Sequence, residues 1–211
     1  MALTPPAYRQ AVALLVERDA DLGRAVSEAP DPPFWQRDPG FPTLVLLILE
    51  QQVSIASALA AYQRLVAMVG DLTPGSLLDL DDQKMRSIGF SRQKTRYARS
   101  LASAIVEGRL DLTALTRLSD ADARAVLIAS PGIGPWTADT YLLSALRRPD
   151  VWPAGDRALQ VAAAEVKRLS DIPGPVELST IAEPWRPYRA VAARILWHHY
   201  LTIRRKMGPV A

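Results

Sequence analysis

The order of hydrophobic and polar positions along the chain describes a helical protein. From Thr43 onward Leu44, Leu47, Ile48, Ile55, Leu59, Tyr62, Leu65 and Val66 recur every three or four residues, the spacing that lines one face of a helix. This predicts a single helix over 43–68. Segments 82–88, 91–107, 119–129, 134–147, 156–169 and 187–205 carry helical spacing or good helix formers, and none alternates apolar and polar residues as a strand would. The expected fold is therefore all-α. Most of the 17 prolines fall between these segments. Thr4 ahead of Pro5 and Pro6 reads as a helix start, and Pro30, Pro32, Pro33, Pro39 and Pro42 read as a long connection, which makes residues 1–42 a preamble to the main body. There is no repeat at a fixed period and no low-complexity tract.

Composition narrows the class. A chain of 211 residues with 49% hydrophobic and 22% charged positions buries a real core and is not disordered. Its longest strongly apolar run, Leu44–Leu49, is far short of the roughly 20 residues of a membrane span. The first residues lack a basic region followed by an apolar stretch, so a soluble, non-exported protein is expected, with the bacterial cytoplasm as its compartment. Cysteine is absent, which removes disulfides, thiolate zinc sites, iron–sulfur clusters and cysteine nucleophiles together. Two histidines, His198 and His199, are too few for a histidine-rich metal site. The formal charge of +3 suits a polyanionic partner without requiring one.

The first stretch with chemical content is Ser130-Pro131-Gly132-Ile133-Gly134-Pro135-Trp136-Thr137-Ala138, between one helix ending near Ala129 and another beginning near Gly134. Its glycines permit positive φ and close approach of a foreign backbone, and Pro135 suits a first helical turn. Unpaired amides and the positive end of the helix dipole would there face a phosphate oxygen. An ordinary interhelical turn has the same composition. Asp156, after Gly155 and before Arg157-Ala158-Leu159-Gln160, is a good helix N-cap. That place is also suited to an anion.

The hairpin resembles the helix-hairpin-helix element of a DNA glycosylase superfamily, in which it is combined with a Gly/Pro-rich loop and a catalytic aspartate. Val151-Trp152-Pro153-Ala154-Gly155-Asp156 is similar to that loop. Leu49-Glu50-Gln51-Gln52-Val53-Ser54 and Ile88-Gly89-Phe90-Ser91-Arg92-Gln93-Lys94 resemble the alkylpurine branch, the 3-methyladenine DNA glycosylase II type, and Trp185-Arg186-Pro187-Tyr188-Arg189 leading to Leu196-Trp197 resembles its last helix. The resemblance spans about residues 40 to 203.

It implies a two-lobed fold with the active site in a cleft between lobes, one lobe holding 43–130 and the other 1–42 plus 131–211 with the hairpin helix and the aspartate loop. It implies excision of alkylated bases of the 3-methyladenine and 7-methylguanine class from duplex DNA in base excision repair. Asp156 would be the catalytic carboxylate, and Trp136 and Trp197 base-pocket aromatics where a core role is the alternative. Gln52 would be the intercalating residue, with plain solvent exposure as its alternative. Amides of Gly132, Gly134 and Thr137 would meet DNA phosphate, and carbonyls of Ile128, Ser130 and Ile133 would hold Na+ or K+. Members that also nick the strand carry a lysine where this chain has Trp136, so a monofunctional enzyme without lyase activity or iron–sulfur cluster is expected. Arg92, Lys94, Arg96 and Arg99, with Arg204, Arg205 and Lys206, are further candidates for phosphate contact.

Three departures stand beside the resemblance. Thr140 replaces an aromatic that some members carry, with Tyr141 about 100° further round the helix. Residues 1–42 do not read as the β-rich N-terminal domain of some members, and Gln52 is polar where some have leucine. Excision of another damaged purine, and non-catalytic damage recognition, remain the alternative functions. A monomer is expected.

Overall fold

A computed structural model describes residues 2–207, with side chains described through Ile203, so those of Arg204, Arg205 and Lys206 lie outside the described ones. Among the described residues there are helices and turns but no strands, and no helix is long and apolar enough to cross a membrane. In chain order the helices are α1 (Pro5–Arg18), α2 (Ala20–Glu28), α3 (Phe41–Glu50), α4 (Ile55–Val69), α5 (Pro74–Leu78), α6 (Asp82–Ser87), α7 (Arg92–Val106), α8 (Asp120–Ile128), α9 (Pro135–Ser144), α10 (Arg157–Lys167), α11 (Pro175–Ala182) and α12 (Arg189–Met207). Most begin at a side-chain cap: Thr4, Ser54, Thr73, Asp81, Ser91, Ser119 and Asp156 each accept a first-turn amide.

The chain forms two compact units, residues 37–146 and residues 1–36 with 147–211. The expected division placed the hairpin helix with the chain termini. The hairpin and α9 instead belong to the middle unit, because α9 packs on α3 and α8 and is itself almost wholly buried from Thr137 to Ser144.

In the middle unit α3 is the most apolar element. Leu44, Leu47 and Ile48 are fully buried, each stabilising the fold by roughly 1.5–3 kcal/mol. The helix expected over 43–68 is broken. Gln51 leaves the helix at ψ 123°, Gln52 sits at φ +57°, and the Ser54 hydroxyl starts α4 by accepting the Ser57 amide at 3.2 Å. Ile48 and Ile55 are seven residues apart, so the apolar repeat runs across the break unmarked. On α4 the buried residues are Ala58, Ala61 and Leu65, while Ile55 is 60% and Leu59 40% exposed. The large side chains misplace the buried face, because α4 packs closely through small ones.

The hairpin is braced from both sides. Arg124 of α8 binds Asp139 of α9 through Nε at 2.6 Å. Gly132 has φ +91°, and a Cβ there would lie 2.3 Å from Cγ of Tyr97. The close approach that this glycine allows is thus to a ring of its own chain. Gly134 has φ −84° and open space around its missing Cβ.

In the terminal unit, Asp19 joins several elements. Its Oδ1 caps α2 by accepting the Asp21 and Leu22 amides, Lys167 at the end of α10 donates to both of its oxygens, and the Trp185 indole donates to Oδ2 at 2.7 Å. Arg194 of α12, wholly buried, donates to the carbonyls of Phe34 and Ala190 and lies over the rings of Tyr8 and Phe34.

Burial of Asp19 by itself would raise its carboxyl, but the hydrogen bonds from Lys167, Trp185 and Leu22 outweigh it and hold the group below its ordinary value of 3.8. A depressed carboxyl contributes stability above its unfolded value and loses it as pH falls through the folded one. Asp19→Asn should cost about 1–3 kcal/mol at pH 7 in denaturant unfolding. The gap from wild type should close as the pH is taken below 3.8. Gly132→Ala should cost at least the ~1–2 kcal/mol of a left-handed alanine. Thermal melting should show part of that loss recovered in a Tyr97→Ala background and a smaller loss for Gly134→Ala.

Candidate active site and nucleic-acid interface

In the terminal unit the loop Val151–Gly155 delivers Asp156 to the start of α10. The Asp156 amide donates to the Pro153 carbonyl at 2.9 Å, which closes the loop, and the Gln160 amide takes the Asp156 carbonyl to begin the helix. Oδ1 of Asp156 accepts the Leu159 amide at 2.9 Å and the Trp197 indole Nε1–H at 3.1 Å. The carboxylate is half-buried, as is Trp197 on α12. Two of the expected site residues are therefore in direct contact. The capping role and the expected catalytic role fall on one side chain and do not conflict.

The loop also carries Trp152, nearly buried and edge-on to Trp185 at 5.6 Å between ring centres, with its indole nitrogen buried and without a hydrogen-bond partner. Neither that orphaned donor nor the partnership of Trp185 with Asp19 is visible in the sequence.

The other expected residues lie in the middle unit. Gly134 is the N-cap residue of α9 and supplies no side-chain cap, so the first amides of the helix are left to other partners. Pro135 occupies the first turn, where its missing N–H costs nothing. Trp136 follows it, half-buried. Thr137 is buried, and its hydroxyl is engaged within the unit. Its Oγ1 accepts from Gln51 Nε2 at 3.0 Å, and the same amide nitrogen donates to the Gly132 carbonyl at 2.9 Å.

Gln51 is the residue that sequence reasoning missed. Its neighbour Gln52, expected on the helix, is instead exposed on the turn after it, beside exposed Val53 and Ile55. Thus one glutamine of the pair anchors the turn to the hairpin and the other is presented outward. Lys94, expected to face phosphate, donates from Nζ to the Leu49 carbonyl at 2.7 Å and caps the end of α3. Burial lowers its pKa. Arg99 is likewise engaged, with Asp82 and the Leu80 carbonyl, whereas Arg92 and Arg96 are exposed.

Tyr141 does not replace the missing pocket aromatic. It is fully buried, and its hydroxyl accepts the Gly40 amide at 2.9 Å. Thr140, at the position in question, is buried with its hydroxyl unpartnered. In the turn, the Ser130 carbonyl accepts the Ile133 amide at 3.1 Å. Neutral carbonyl oxygens of this kind, at Ile128, Ser130 and Ile133, are a donor set that suits a monovalent cation.

The geometry can be set beside known proteins. Residues 45–187 match the HhH-GPD superfamily of base excision DNA repair proteins. YfjP of Bacillus subtilis is 32% identical over 158 residues, which cover 71% of this chain and 55% of that protein. The chain thus spans about half the length of that relative. Among solved structures, a Schizosaccharomyces pombe 3-methyladenine DNA glycosylase in complex with abasic DNA aligns with a TM-score of 0.81 and 27% identity, over 89% of this chain and 95% of that one. A DNA-3-methyladenine glycosidase from Bacillus halodurans aligns with a TM-score of 0.79 and 32% identity, over 92% and 90% of the two chains. The superfamily match takes in the Gln51–Gln52 turn, the hairpin and the Asp156 loop and covers more than half of the chain, and the protein belongs to the HhH-GPD superfamily of base excision DNA repair proteins.

Proposed function

We propose that the protein is a monofunctional DNA glycosylase that hydrolyses the N-glycosidic bond of alkylated purines, of the 3-methyladenine and 7-methylguanine class, in duplex DNA. The observation that carries this reading is the Asp156 carboxylate, fixed at a helix start by two N–H donors. Bond cleavage develops oxocarbenium character on the sugar, and a fixed anion stabilises that charge or orients the attacking water. An N3- or N7-alkylated purine is already cationic and leaves as a neutral base, so no second acid is required.

Trp197 acts in two ways. Its N–H holds Oδ1 of Asp156, and its ring offers a stacking face to a cationic base that has left the duplex. Trp136, in the middle unit, is proposed separately as a base-stacking aromatic. Position 136 carries no amine, which supports base release without Schiff-base chemistry. Gln52, exposed at φ +57° with Val53 and Ile55 beside it, suits insertion into the gap a departed base leaves. Amides at Gly132, Gly134 and Thr137 would take a backbone phosphate, and the hairpin carbonyls of Ile128, Ser130 and Ile133 would hold Na+ or K+ that stiffens the turn; catalysis requires no cofactor. Similarity to alkylbase glycosylases, one of them bound to abasic DNA, supports the substrate class.

Incubation with methylated duplex should release 3-methyladenine, with strand breaks only after alkali. Asp156→Asn should abolish release while leaving melting within about 1 kcal/mol of wild type, because the asparagine oxygen can still cap α10. Unchanged release by that variant would refute the assignment. Trp197→Phe keeps a ring and loses the N–H, so kcat should fall roughly 10- to 100-fold with little change in KM, the range of a missing hydrogen bond to a charged group.

A further inference from the structure

The middle unit has a cavity of about 550 Å³ that neither the hairpin amides nor the Gln52 turn accounts for. Its walls carry Arg86, Arg92, Arg96, Arg99 and Arg109, and its rim includes Pro131, the second residue of the hairpin loop. Two of these cations are already matched. Arg99 binds Asp82, the carboxylate in the lining, at 2.6 Å, and Arg109 binds Glu107 at 2.6 Å. Arg86, Arg92 and Arg96 are exposed and enter no ion pair among the described residues. Arg92, Arg96 and Arg99 stand at successive turns of one face of α7, with the Ser100 and Ser103 hydroxyls below them.

A convex row of arginines would be a solvated face. A concave one focuses its field and favours an extended anion. From Arg92 to Arg99 the row rises about 10 Å, the axial rise of about three phosphates on one DNA strand. The rim at Pro131 makes this row continuous with the hairpin.

We propose that this arginine groove is a second phosphate-binding track, which carries the backbone of the duplex beyond the stretch held by the hairpin. The inference rests on the DNA-binding reading of the hairpin but not on catalysis. An acidic protein segment would satisfy the same charges, but nothing would then join its site to the hairpin.

The test is equilibrium binding of wild type and Arg92→Gln/Arg96→Gln to an undamaged duplex of about 30 base pairs across roughly 50–200 mM salt. The slope of log K against log salt should fall by about 1–2 units in the variant, near 0.9 for each phosphate that is no longer neutralised. Duplexes centred on an abasic site and trimmed from one end or the other fix the register. The difference between the proteins should vanish when one end is removed and persist when the other is. Equal slopes on the full duplex would overturn the track, as would a difference that survives trimming of either end. Arg86→Gln, on α6, is an independent variant expected to shift the slope in the same direction, and equal melting of all three proteins checks that they fold. Wild type that binds with the expected slopes yet releases no base would reject the enzymatic reading and leave the groove standing.

Discussion

The first amides of a helix need acceptors, and α10 finds one in the Asp156 carboxylate, the group proposed to be catalytic. The requirement fixes Asp156 in space through the Leu159 amide, and the Trp197 indole adds a second, nearly rigid donor. The position of Asp156 is therefore only as firm as α10 itself. That helix is secured at its other end by Lys167 on Asp19, the same aspartate that caps α2 and holds Trp185. Two carboxylates, one at each end of an eleven-residue helix, thus connect the proposed catalytic position to the packing of the unit. Asp19 touches nothing at Asp156, yet its loss would loosen the element from which Asp156 projects.

The middle unit solves a different problem, the presentation of a strained turn. A non-glycine residue at φ +57° persists only when its neighbours hold it there. On one side of Gln52, Lys94 ties down the last turn of α3 through the Leu49 carbonyl, and Gln51 spans 81 residues to reach the Gly132 carbonyl. On the other side, the Ser54 cap starts α4. The backbone around Gln52 is consequently specified by contacts of its neighbours rather than its own, which leaves its side chain free of structural duty. The bond to Gly132 also makes the turn and the hairpin a single braced unit, stiffened further by Tyr97 beneath the glycine.

What could be read in the sequence follows from the range of each interaction. Helix existence depends on local spacing, and the periodic segments from 82 to 205 became α6, α7, α8, α9, α10 and α12 with small shifts at their ends. Asp156 was legible because capping is local and leaves a Gly-Asp signature. The break at 51–54 was not, because Ile48 and Ile55 keep the repeat in phase across it. Helices α5 and α11 lie outside the segments expected to be helical, and each begins at a proline, Pro74 or Pro175, a residue type that reads mainly as punctuation between helices. Nor was the role of Gln51 legible, since its partners are a backbone carbonyl and a buried hydroxyl far along the chain. The assignment of α9 to the middle unit depends on packing against α3, which no pattern within 134–147 can express.

The same logic separates the cations, which look alike in the sequence. Lys94, Arg99, Arg124 and Lys167 are each committed within their own unit to a helix end, a carbonyl or a carboxylate. Substituting any of them perturbs the fold first and any partner only through it. Arg92 and Arg96 belong to the same short run of sequence as Lys94 and share a face of α7 with Arg99, but they are exposed and enter no ion pair among the described residues, whereas Arg99 is held by Asp82 and the Leu80 carbonyl. With a net charge of only +3, attraction to a polyanion depends on where the unpaired cations are gathered rather than on their total. A concave row whose lining reaches Pro131 gathers that small excess beside the hairpin proposed to hold phosphate.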